Sequence, residues 1–357
     1  MSKRPGPKVL DVLRRVAPGT VLREGLDRVL QGNKGALIVV ADGPDVLNIC
    51  SGGFLLDAAY SPQRLSELAK MDGAIILAAD ASRIARANVH LVPDPNVPTA
   101  ETGTRHRTAE RVARSIDAPV VSVSEAMSTI TIYVGDEKHV LEAPTDIIFR
   151  ANQALRTLER YRDRLDEVRG TLSSLEVEDL VTLRDMVAVL QRTEMVRRIA
   201  AEIEVDIIEL GDEGRLVQLQ LLELMAGVED DRRLLIKDYF HEEASWHLEE
   251  SLAALDSLDS AKLLDHSKVA GVLHIPDAAL DLDMSATSRG YRMLAQIPRL
   301  PESIIERVIA HFGSLPDIIR ASIEDLEEVD GVGSARAHAI KEGLARLTET
   351  SILGRYT

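Results

Sequence analysis

The chain has 357 residues, enough for two or three domains of about 150 residues each. Hydrophobic residues make up 45% and charged residues 28%, a balance that excludes a disordered chain. No apolar run reaches the roughly 18 residues of a membrane span, and the basic N-terminus has no signal-peptide core, so we expect a cytoplasmic protein. The single cysteine, Cys50, excludes an internal disulfide and a cysteine-cluster metal site. An aromatic content of 3% argues against stacking platforms for single-stranded nucleic acid.

The net charge of −16 is unevenly distributed along the chain. Residues 1–143 carry 17 basic and 17 acidic residues, and residues 285–357 carry 9 basic and 10 acidic ones. The segment 144–284 therefore holds 16 basic and 31 acidic residues, a net charge of −15. The overall negative charge argues against long-range attraction to nucleic acid but leaves local phosphate sites open. The distribution predicts three domains, 1–143, 144–284 and 285–357.

The first segment has the pattern of an α/β domain. Apolar spacing predicts a helix over residues 8–30, interrupted near Pro18-Gly19, and shorter helices over 62–70 and 108–115. Short apolar, β-rich runs predict strands at 36–41, 46–50, 74–79, 89–92, 119–123 and 129–134. The run 139–141 follows Gly135-Asp136-Glu137, which predicts a hairpin. We therefore expect a mixed sheet flanked by helices.

The middle segment predicts an all-α spine. Between Thr145 and about Leu264 there is no proline and little glycine. Apolar residues recur at helical spacing and form one stripe, which consists of Ala151, Leu155, Leu158, Leu165 and Leu172. The excess of acidic residues is typical of a solvated helix face, with a binding surface as the alternative. The long apolar stripes predict that the spine holds copies of the chain together.

The third segment contains the same apolar pattern twice, 32 residues apart. The second copy consists of Leu326, Val329, Gly331, Val332, Gly333, Ala337 and Ile340. The first copy has Leu294, Ile297, Arg299, Leu300, Pro301, Ile305 and Val308 in the same frame. The pattern resembles the tandem helix-hairpin-helix domain, an all-α module that binds the DNA backbone.

The two glycines of the second copy suit a phosphate contact. Gly331 and Gly333 permit a tight turn and a close approach of backbone N–H groups, and the next helix points its N-terminus at the same place. Arg336 and Lys341 supply local cations. Such contacts position a protein on DNA without reading its sequence. The alternative is a purely structural helical hairpin, and in the first copy only Arg299 offers a substitute for the glycines.

Two stretches of the first domain have no explanation in packing. Asp72-Gly73-Ala74 stands at the start of a predicted strand, and residues 103–108, GTRHRT, stand directly before a predicted helix. Guanidinium groups together with helix N–H groups can hold a polyphosphate. A carboxylate facing them would supply the hard oxygen ligand that Mg²⁺ or Mn²⁺ prefers. For the triplet Arg105-His106-Arg107 taken alone, the alternative is an exposed basic turn. For Asp72 alone, the alternative is a turn residue at the entry to the strand.

Four segments of the first domain together resemble the diadenylate cyclase family. They are GALIVVADGPDV, ICSGGFLLDAAYSPQRLSELAKMDGAIILAAD, HLVPDPNVPTAETGTRHRTAERVA and VVSVSEAMSTITIYVG. Such a domain, followed by a helical spine and tandem helix-hairpin-helix elements, is the layout of the bacterial DNA integrity scanning protein family. The resemblance extends over essentially the whole chain. It implies that two ATP are condensed to cyclic di-3′,5′-AMP and two pyrophosphates, between domains that face each other.

The resemblance also implies a role for individual residues. Asp72 would bind Mg²⁺ or Mn²⁺ and help to activate the attacking hydroxyl. The nucleotide-binding residues it implies are Gly73, Ala74, Leu91, Thr104, Arg105, His106, Arg107, Thr108, Ser124 and Glu125. Leu91 would pack on the adenine, Gly73 would allow close approach, and His106 would donate to a phosphate in preference to acting as a base.

The resemblance further implies a homo-oligomer, an octamer in this family, that binds branched, Holliday-junction-like DNA without sequence preference and makes no membrane contact. The DNA-binding residues would be Gly331, Gly333, Arg336 and Lys341. The leading interpretation is therefore a DNA-regulated cyclase in a checkpoint for DNA integrity. The alternatives are a non-catalytic, ATP-sensing protein that binds DNA structures, and a helical scaffold with vestigial end domains.

Overall fold

The computed structural model describes residues 5–239, 248–273 and 281–353. The predicted order of an α/β domain, a helical spine and a C-terminal helical domain is confirmed. Parts of the predicted spine, at 240–247 and 274–280, and the last four residues of the chain lie outside the described residues. Within those described, no helix combines the length and the apolar character needed to cross a membrane.

The N-terminal domain is built on a mixed sheet. Its strands are β1 (Ala36–Val40), β2 (Cys50–Ser51), β3 (Phe54–Ala59), β4 (Ala74–Leu77), β5 (Arg83–Leu91), β6 (Val120–Ser124), β7 (Thr129–Val134) and β8 (Glu137–Val140). Its helices are α1 (Pro7–Val16), α2 (Val21–Gln31), α3 (Pro44–Asn48), α4 (Pro62–Leu68) and α5 (Thr104–Ile116). The strand order is β2-β5-β4-β1-β6-β7-β8, and β3 also pairs with β5. The pair β1 and β4 is parallel and the other pairs are antiparallel.

The central strands are apolar on both faces because helices cover both sides of the sheet. On one side, Ile38 packs in a core with residues of α1, α2 and α4, such as Leu13, Leu26 and Leu65. On the other side, Val39 packs with Val112 and its neighbours on α5. Side chains alternate between the faces of a strand, so an uninterrupted apolar strand requires two covering layers.

Several predicted boundaries are wrong, each for a local reason. Residues 46–50 were expected to form a strand, but Pro44 at the first helical position starts α3, and only Cys50–Ser51 is extended. Helix α5 begins at Thr104 and not at 108, so the basic triplet lies inside its first turn. The predicted hairpin is confirmed, with Gly135 at a φ of +55° in its turn and β8 beginning at Glu137. Strand β3 was not predicted because its sequence, FLLDAA, has neither polar–apolar alternation nor a β-branched residue.

The rest of the described chain is helical. The helices are α6 (Pro144–Glu178), α7 (Leu183–Leu210), α8 (Arg215–Leu224), α9 (Val228–Tyr239), α10 (Leu248–Ser257), α11 (Ser260–Leu263), α12 (His266–Gly271), α13 (Tyr291–Ala295), α14 (Glu302–Phe312), α15 (Leu315–Arg320), α16 (Ile323–Glu327) and α17 (Ser334–Leu353), and a 3-10 turn spans Gly211–Gly214. The five stripe residues of α6 are at most 3% exposed within the single chain. The apolar surface of that stripe is therefore already covered within one chain, and assembly through the spine stays a prediction.

The chain divides into two compact units. The first extends to Leu155 and includes Ala201–Leu221, and the second comprises Arg156–Ala200 and the described residues from Leu222 onwards. In the first unit, the carboxylate of Glu209 accepts hydrogen bonds from His139 Nε2 at 2.8 Å and from the Glu142 amide at 3.0 Å. Spine residues thus belong to the α/β unit by packing, and the domain boundaries at 143/144 and 284/285 stay a prediction.

Buried charges join the C-terminal helices to the spine inside the second unit. The carboxylate of Asp238 accepts hydrogen bonds from the backbone amides of Gly290, Tyr291 and Arg292 at 2.6–3.0 Å, which caps the start of α13. Arg292 Nη1 donates to Glu176 Oε1 at 2.9 Å, and the two side chains are 3% and 0% exposed. A buried ion pair of this kind depends on both partners, because either charge alone would be left unpaired in an apolar interior.

We expect Arg292→Met to lower the free energy of unfolding of the second unit by about 3–5 kcal/mol, because it leaves the Glu176 carboxylate buried without its partner. Urea unfolding followed by circular dichroism measures the change. Arg320→Met is the matched control, since its side chain is 73% exposed and its loss should cost under about 0.5 kcal/mol. Equal stability of the two variants would show that the buried pair does not hold the unit together.

Candidate functional site

The sheet topology brings distant parts of the sequence to one edge. Strands β1 and β4 are parallel and begin at this edge, while the antiparallel β6 and β5 end there, as the pairs Ala36↔Val123 and Ala74↔Val89 show. The edge therefore collects Asp72-Gly73-Ala74 before and in β4, Leu91 at the end of β5, and Ser124-Glu125 at the end of β6. The fold thus brings these candidate site residues, which extend over more than 50 positions of the sequence, to the same edge of the sheet.

The start of helix α5 presents its backbone N–H groups without a side-chain cap. Gly103 is the N-cap residue and has no side chain to accept from the first turn, in contrast to Thr20 and Ser61, whose side chains cap α2 and α4. The first four N–H groups of a helix have no partner within the helix. Residues 104–108 occupy the first turns of the helix. The side chains of Thr104, Arg105 and Arg107 are exposed. This arrangement suits an anion.

Arg105 connects the helix start to the strand that follows Asp72. Its Nη2 donates to Asp72 Oδ1 at 3.1 Å, and the two side chains are 44% and 97% exposed. The guanidinium lies directly over Gly35, the residue before β1, where a Cβ would be 2.2 Å from Arg105 Nη1. Gly35 is therefore a part of the site that sequence reasoning missed, since its only signal was a glycine in a turn. The cradle consists of Gly35, Arg105 and Asp72.

Gly73 and Leu91 make packing contacts inside the domain. A Cβ on Gly73 would lie 2.6 Å from the backbone of Asn88, so the residue is glycine because β4 and β5 approach closely there. Leu91 is 6% exposed and packs in the core beside α5, and Ala74 is 3% exposed. Contact of these residues with a nucleotide stays a prediction. At the end of β6, Ser124 Oγ accepts from the Met127 amide at 3.3 Å, and Glu125 is exposed.

The loop before α5 is held against that helix by side chains. Arg111 Nε donates to the carbonyl of Val97 at 3.0 Å, and the Ala100 amide donates to Glu110 Oε2 at 3.1 Å. These contacts fix the approach to the helix N-terminus before any ligand arrives. A loop fixed in advance loses less conformational entropy on binding.

A chain of hydrogen bonds links His106 to Glu101 through Tyr133 of β7, on the side of the sheet that α5 covers. His106 Nδ1 lies 2.9 Å from Tyr133 Oη, and this hydroxyl donates to Glu101 Oε1 at 3.0 Å. Burial lowers the pKa of His106 from its ordinary value, and the carboxylate of Glu101 partly opposes this shift. Burial and the neighbouring Glu101 raise the pKa of Tyr133, which therefore stays protonated. Glu101 and Tyr133 are partners of the site that sequence reasoning missed.

Carboxylates suited to a metal ion are sparse at this edge. Among the described residues, no group of three or more His, Cys, Asp or Glu side chains is placed to hold a metal. Asp72 is nearly fully exposed, and only its Oδ1 is held by Arg105. This fits Mg²⁺ or Mn²⁺, which commonly bind one or two carboxylates and take their other ligands from phosphates and water.

The second helical hairpin has the predicted geometry for a backbone contact. Gly331 has a φ of +84°, and Gly333 precedes α17 with open space where a side chain would be. Arg336 Nη1 donates to the carbonyl of Gly331 at 2.6 Å. Arg307, on α14, also reaches the turn and donates to the carbonyl of Asp330 at 2.9 Å and to its carboxylate at 3.0 Å. Arg307 is a cation at this turn that sequence reasoning missed, because it comes from the other hairpin.

The first hairpin keeps the turn conformation without glycine. Arg299, which corresponds to Gly331, has a φ of +64° and an exposed side chain. Glu302, in the first turn of the following helix, forms an ion pair with Lys237 at 2.8 Å. A carboxylate at this helix start disfavours a phosphate there. The two hairpins therefore share a backbone shape, and of their two following helices only α14 has a carboxylate in its first turn.

Lys341 has a structural role in addition to any contact with DNA. Its Nζ donates to the carbonyls of Ile319 and Ala321 at 2.8 and 2.6 Å, at the end of α15. Cations stabilise helix C-termini by this kind of contact. Of the predicted DNA-binding cations, Arg336 is the exposed one, and Lys341 is half-buried.

Comparison with known families matches all three parts of the chain. Residues 23–138 match the family described as DisA bacterial checkpoint controller nucleotide-binding, and residues 141–280 match the DisA bacterial checkpoint controller linker region. Residues 291–346 match the SAM-like helix-hairpin-helix tandem. The nucleotide-binding match contains the cradle, and the hairpin match contains both positive-φ turns.

Curated relatives extend over nearly the full chain. DNA integrity scanning protein DisA of Streptomyces coelicolor is 54% identical over 347 residues, covering 96% of this chain and 93% of the relative. The DisA proteins of Frankia alni and Kineococcus radiotolerans are 53% and 52% identical and cover 98% and 99% of this chain, in each case with 99% of the relative. At this identity and coverage, the chain belongs to the family of bacterial DNA integrity scanning proteins.

Proposed function

We propose that this chain is a diadenylate cyclase that condenses two ATP into cyclic di-3′,5′-AMP and two pyrophosphates, and whose activity is coupled to binding of branched DNA. The observation that carries the proposal is the cradle, where Arg105 lies over Gly35 and reaches Asp72 beside an uncapped helix start. This geometry places cationic and N–H donors next to an exposed carboxylate. Family membership and the nucleotide-binding match support the same reading.

The residues act mainly by holding and neutralising phosphates. The N–H groups at the start of α5, with the side chains of Arg105 and Arg107, would contact the triphosphate of one ATP. The 3′-hydroxyl of the facing nucleotide releases its proton to solvent and attacks the α-phosphorus, and pyrophosphate leaves as the bond between the α-phosphorus and the bridging oxygen breaks. Repetition in the opposite sense closes the ring. Such transfers depend on positioning and on charge stabilisation of the transferred phosphate.

A divalent cation, Mg²⁺ or Mn²⁺, would be held by Asp72 together with phosphate oxygens, and when bound it would supply charge neutralisation at the triphosphate. Arg105 orients the Asp72 carboxylate through Oδ1 and leaves Oδ2 for that role. Ser124 and Glu125 at the end of β6 would lie near the triphosphate. Gly73, Ala74 and Leu91 would line the nucleoside side of the same edge.

The reaction requires two sites that face each other, so we propose that the active form is a homo-oligomer. Strand β3 offers an apolar surface for such an assembly, because Phe54, Leu55 and Leu56 are 55%, 75% and 39% exposed. Contiguous exposed apolar residues of this kind mark interaction surfaces. Strand β3 pairs with β5, whose end lies at the site edge, so a contact there would bring two sites together.

Branched DNA is the proposed partner of the hairpin domain. Backbone N–H groups around Gly331 and Gly333, with Arg336 and Arg307 beside them, form a phosphate contact that reads no sequence. Each module alone would bind weakly. Several modules on an oligomer gain affinity through effective concentration, most of all on junctions whose arms reach more than one module.

The direct test is incubation of the purified full chain with ATP and Mn²⁺, with the product identified by mass. We expect cyclic di-AMP and pyrophosphate. ATP that binds but stays unchanged would overturn the enzyme assignment and favour an ATP-sensing protein that binds DNA structures.

We expect Asp72→Asn to abolish synthesis while leaving the fold intact, because an amide is a poorer ligand for a hard cation than a carboxylate of the same shape. Product formation at saturating Mn²⁺ measures the effect. Asp136→Asn is the matched control, since Asp136 is 90% exposed in the same domain and should keep activity. Synthesis by Asp72→Asn at the wild-type rate would remove Asp72 from the site.

We expect Gly35→Ala to lower kcat/KM roughly tenfold or more, because the new methyl displaces Arg105 and weakens charged hydrogen bonds worth about 1.5–3 kcal/mol. Arg105→Ala should have an effect of the same order, and the double variant should be no worse than either single variant. Gly43→Ala is the control, since nothing lies within 4 Å of its Cβ position. Additive losses would show that Gly35 acts independently of Arg105.

We expect Gly333→Val to weaken junction binding roughly tenfold or more while basal cyclase activity stays unchanged, because the side chain keeps a phosphate from the N–H groups at the start of α17. The position is open, so the fold should tolerate the change. Gel shifts with a four-way junction, beside cyclic di-AMP yield, test both halves. The control is Gly170→Val, at another open position. Unchanged junction affinity would place the DNA contact elsewhere in the molecule.

A further inference from the structure

The hydrogen-bond chain behind His106 determines which imidazole nitrogen carries a proton. Burial alone would raise the pKa of Glu101, but hydrogen bonds from Lys138 and Tyr133 hold it below the ordinary value, so the carboxylate is ionised and can only accept. The single hydroxyl proton of Tyr133 is therefore directed to Glu101, as the 3.0 Å contact shows. The Tyr133 oxygen must then accept from His106 Nδ1, which consequently carries a proton.

The other nitrogen, Nε2, is left for a ligand. In a neutral imidazole with a proton on Nδ1, Nε2 has only a lone pair. Within the described part of the chain, Nε2 of His106 makes no hydrogen bond, whereas Nδ1 is fully engaged. The Cδ2 atom beside Nε2 lies 3.5 Å from the Cβ position of Gly103, the N-cap of α5. This edge of the ring therefore lies at the helix start where a phosphate would be held.

We propose that Tyr133 and Glu101 are positioning residues for the cyclase reaction, which hold the His106 ring with Nδ1 protonated and Nε2 directed to the nucleotide, so that His106 takes up a proton when the triphosphate binds. The proposal rests on the proposed function. A lone pair on Nε2 would repel a phosphate oxygen, whereas an imidazolium donates to it. The Glu101 carboxylate, reached through the Tyr133 hydroxyl, stabilises that cation.

The charges around His106 come from four elements. Glu101 in the loop before α5 favours the protonated ring, while Lys138 on β8 and Arg105 on α5 oppose it. Tyr133 on β7 stays neutral, and Glu110 on α5 acts on Tyr133. Burial lowers the pKa of His106 in the free protein. A bound polyphosphate adds negative charge at this position and raises that pKa, which couples proton uptake to binding.

Two variants distinguish the orientation of the His106 ring by Tyr133 from the stabilisation of its positive charge by Glu101. Tyr133→Phe removes the hydroxyl from a side chain that is 1% exposed and otherwise keeps its packing. It should lower kcat/KM roughly tenfold, since one oriented hydrogen bond to a charged group is lost. Glu101→Gln keeps an acceptor for Tyr133 but removes the charge. It should move the alkaline limb of the kcat profile to lower pH, because the imidazolium of the complex loses its stabilising carboxylate.

The experiment measures cyclic di-AMP formation by the full chain from pH 6 to 10 for both variants, with Tyr60→Phe as the control for a half-buried tyrosine of the same domain. ¹⁵N NMR of the histidine rings reports the His106 tautomer independently of activity. We expect an Nδ1–H signal in the wild-type protein that is lost in Tyr133→Phe. We also expect no further loss of activity when Tyr133→Phe is added to His106→Gln.

An unshifted alkaline limb in Glu101→Gln, or an Nδ1–H tautomer that survives in Tyr133→Phe, would overturn the proposal. So would an additive loss in the double variant, since Tyr133 would then act by a route other than His106. If the wild-type chain forms no cyclic di-AMP, the proposed function fails, and the tautomer signal still shows whether the hydrogen-bond chain orients the ring.

Discussion

The contact between Arg105 and Asp72 across Gly35 is the interaction on which the site depends. It joins the start of helix α5 to the entry of strand β4, two segments 33 positions apart in the sequence. The contact is possible because parallel β1 and β4 begin at the same edge of the sheet and because position 35 has no side chain. An exposed ion pair contributes little to stability. We propose that its value lies in holding a carboxylate and a cation side by side for a metal-bound triphosphate.

In the C-terminal domain, two hairpins have the same backbone turn but different side chains at the helix that follows it. Both hairpins have a residue of positive φ at the equivalent position, Gly331 in one and Arg299 in the other. The first hairpin places Glu302 at its helix start and pairs it with Lys237 of α9. The second hairpin leaves its helix start open and gathers Arg336 and Arg307 beside it. Of the two duplicated hairpins, the second is thus the one suited to a phosphate.

The sequence predicted elements whose signal is local and missed contacts that depend on tertiary packing. Buried strands such as β1 and β4 and the break at Pro18-Gly19 follow from apolar runs and turn residues. Strand β3 has no such local signal, because FLLDAA lacks both polar–apolar alternation and β-branched residues. The basic triplet was identified, yet its partners Gly35, Tyr133 and Glu101 were not. A glycine beneath a guanidinium, or a tyrosine between a histidine and a carboxylate, has no periodic pattern, and only the fold brings such residues together.

The central claim is that Asp72 and Arg105 form one nucleotide site. A double-mutant cycle tests it most directly, with 3′-deoxy-ATP as a ligand that lacks the attacking hydroxyl and isothermal titration calorimetry in the presence of Mn²⁺ as the measurement. We predict that Asp72→Asn and Arg105→Ala each weaken binding and that their combined effect departs from the sum by more than about 0.5 kcal/mol, as expected for residues in contact. Losses that add within about 0.3–0.5 kcal/mol would show that the two residues act independently and would contradict the account.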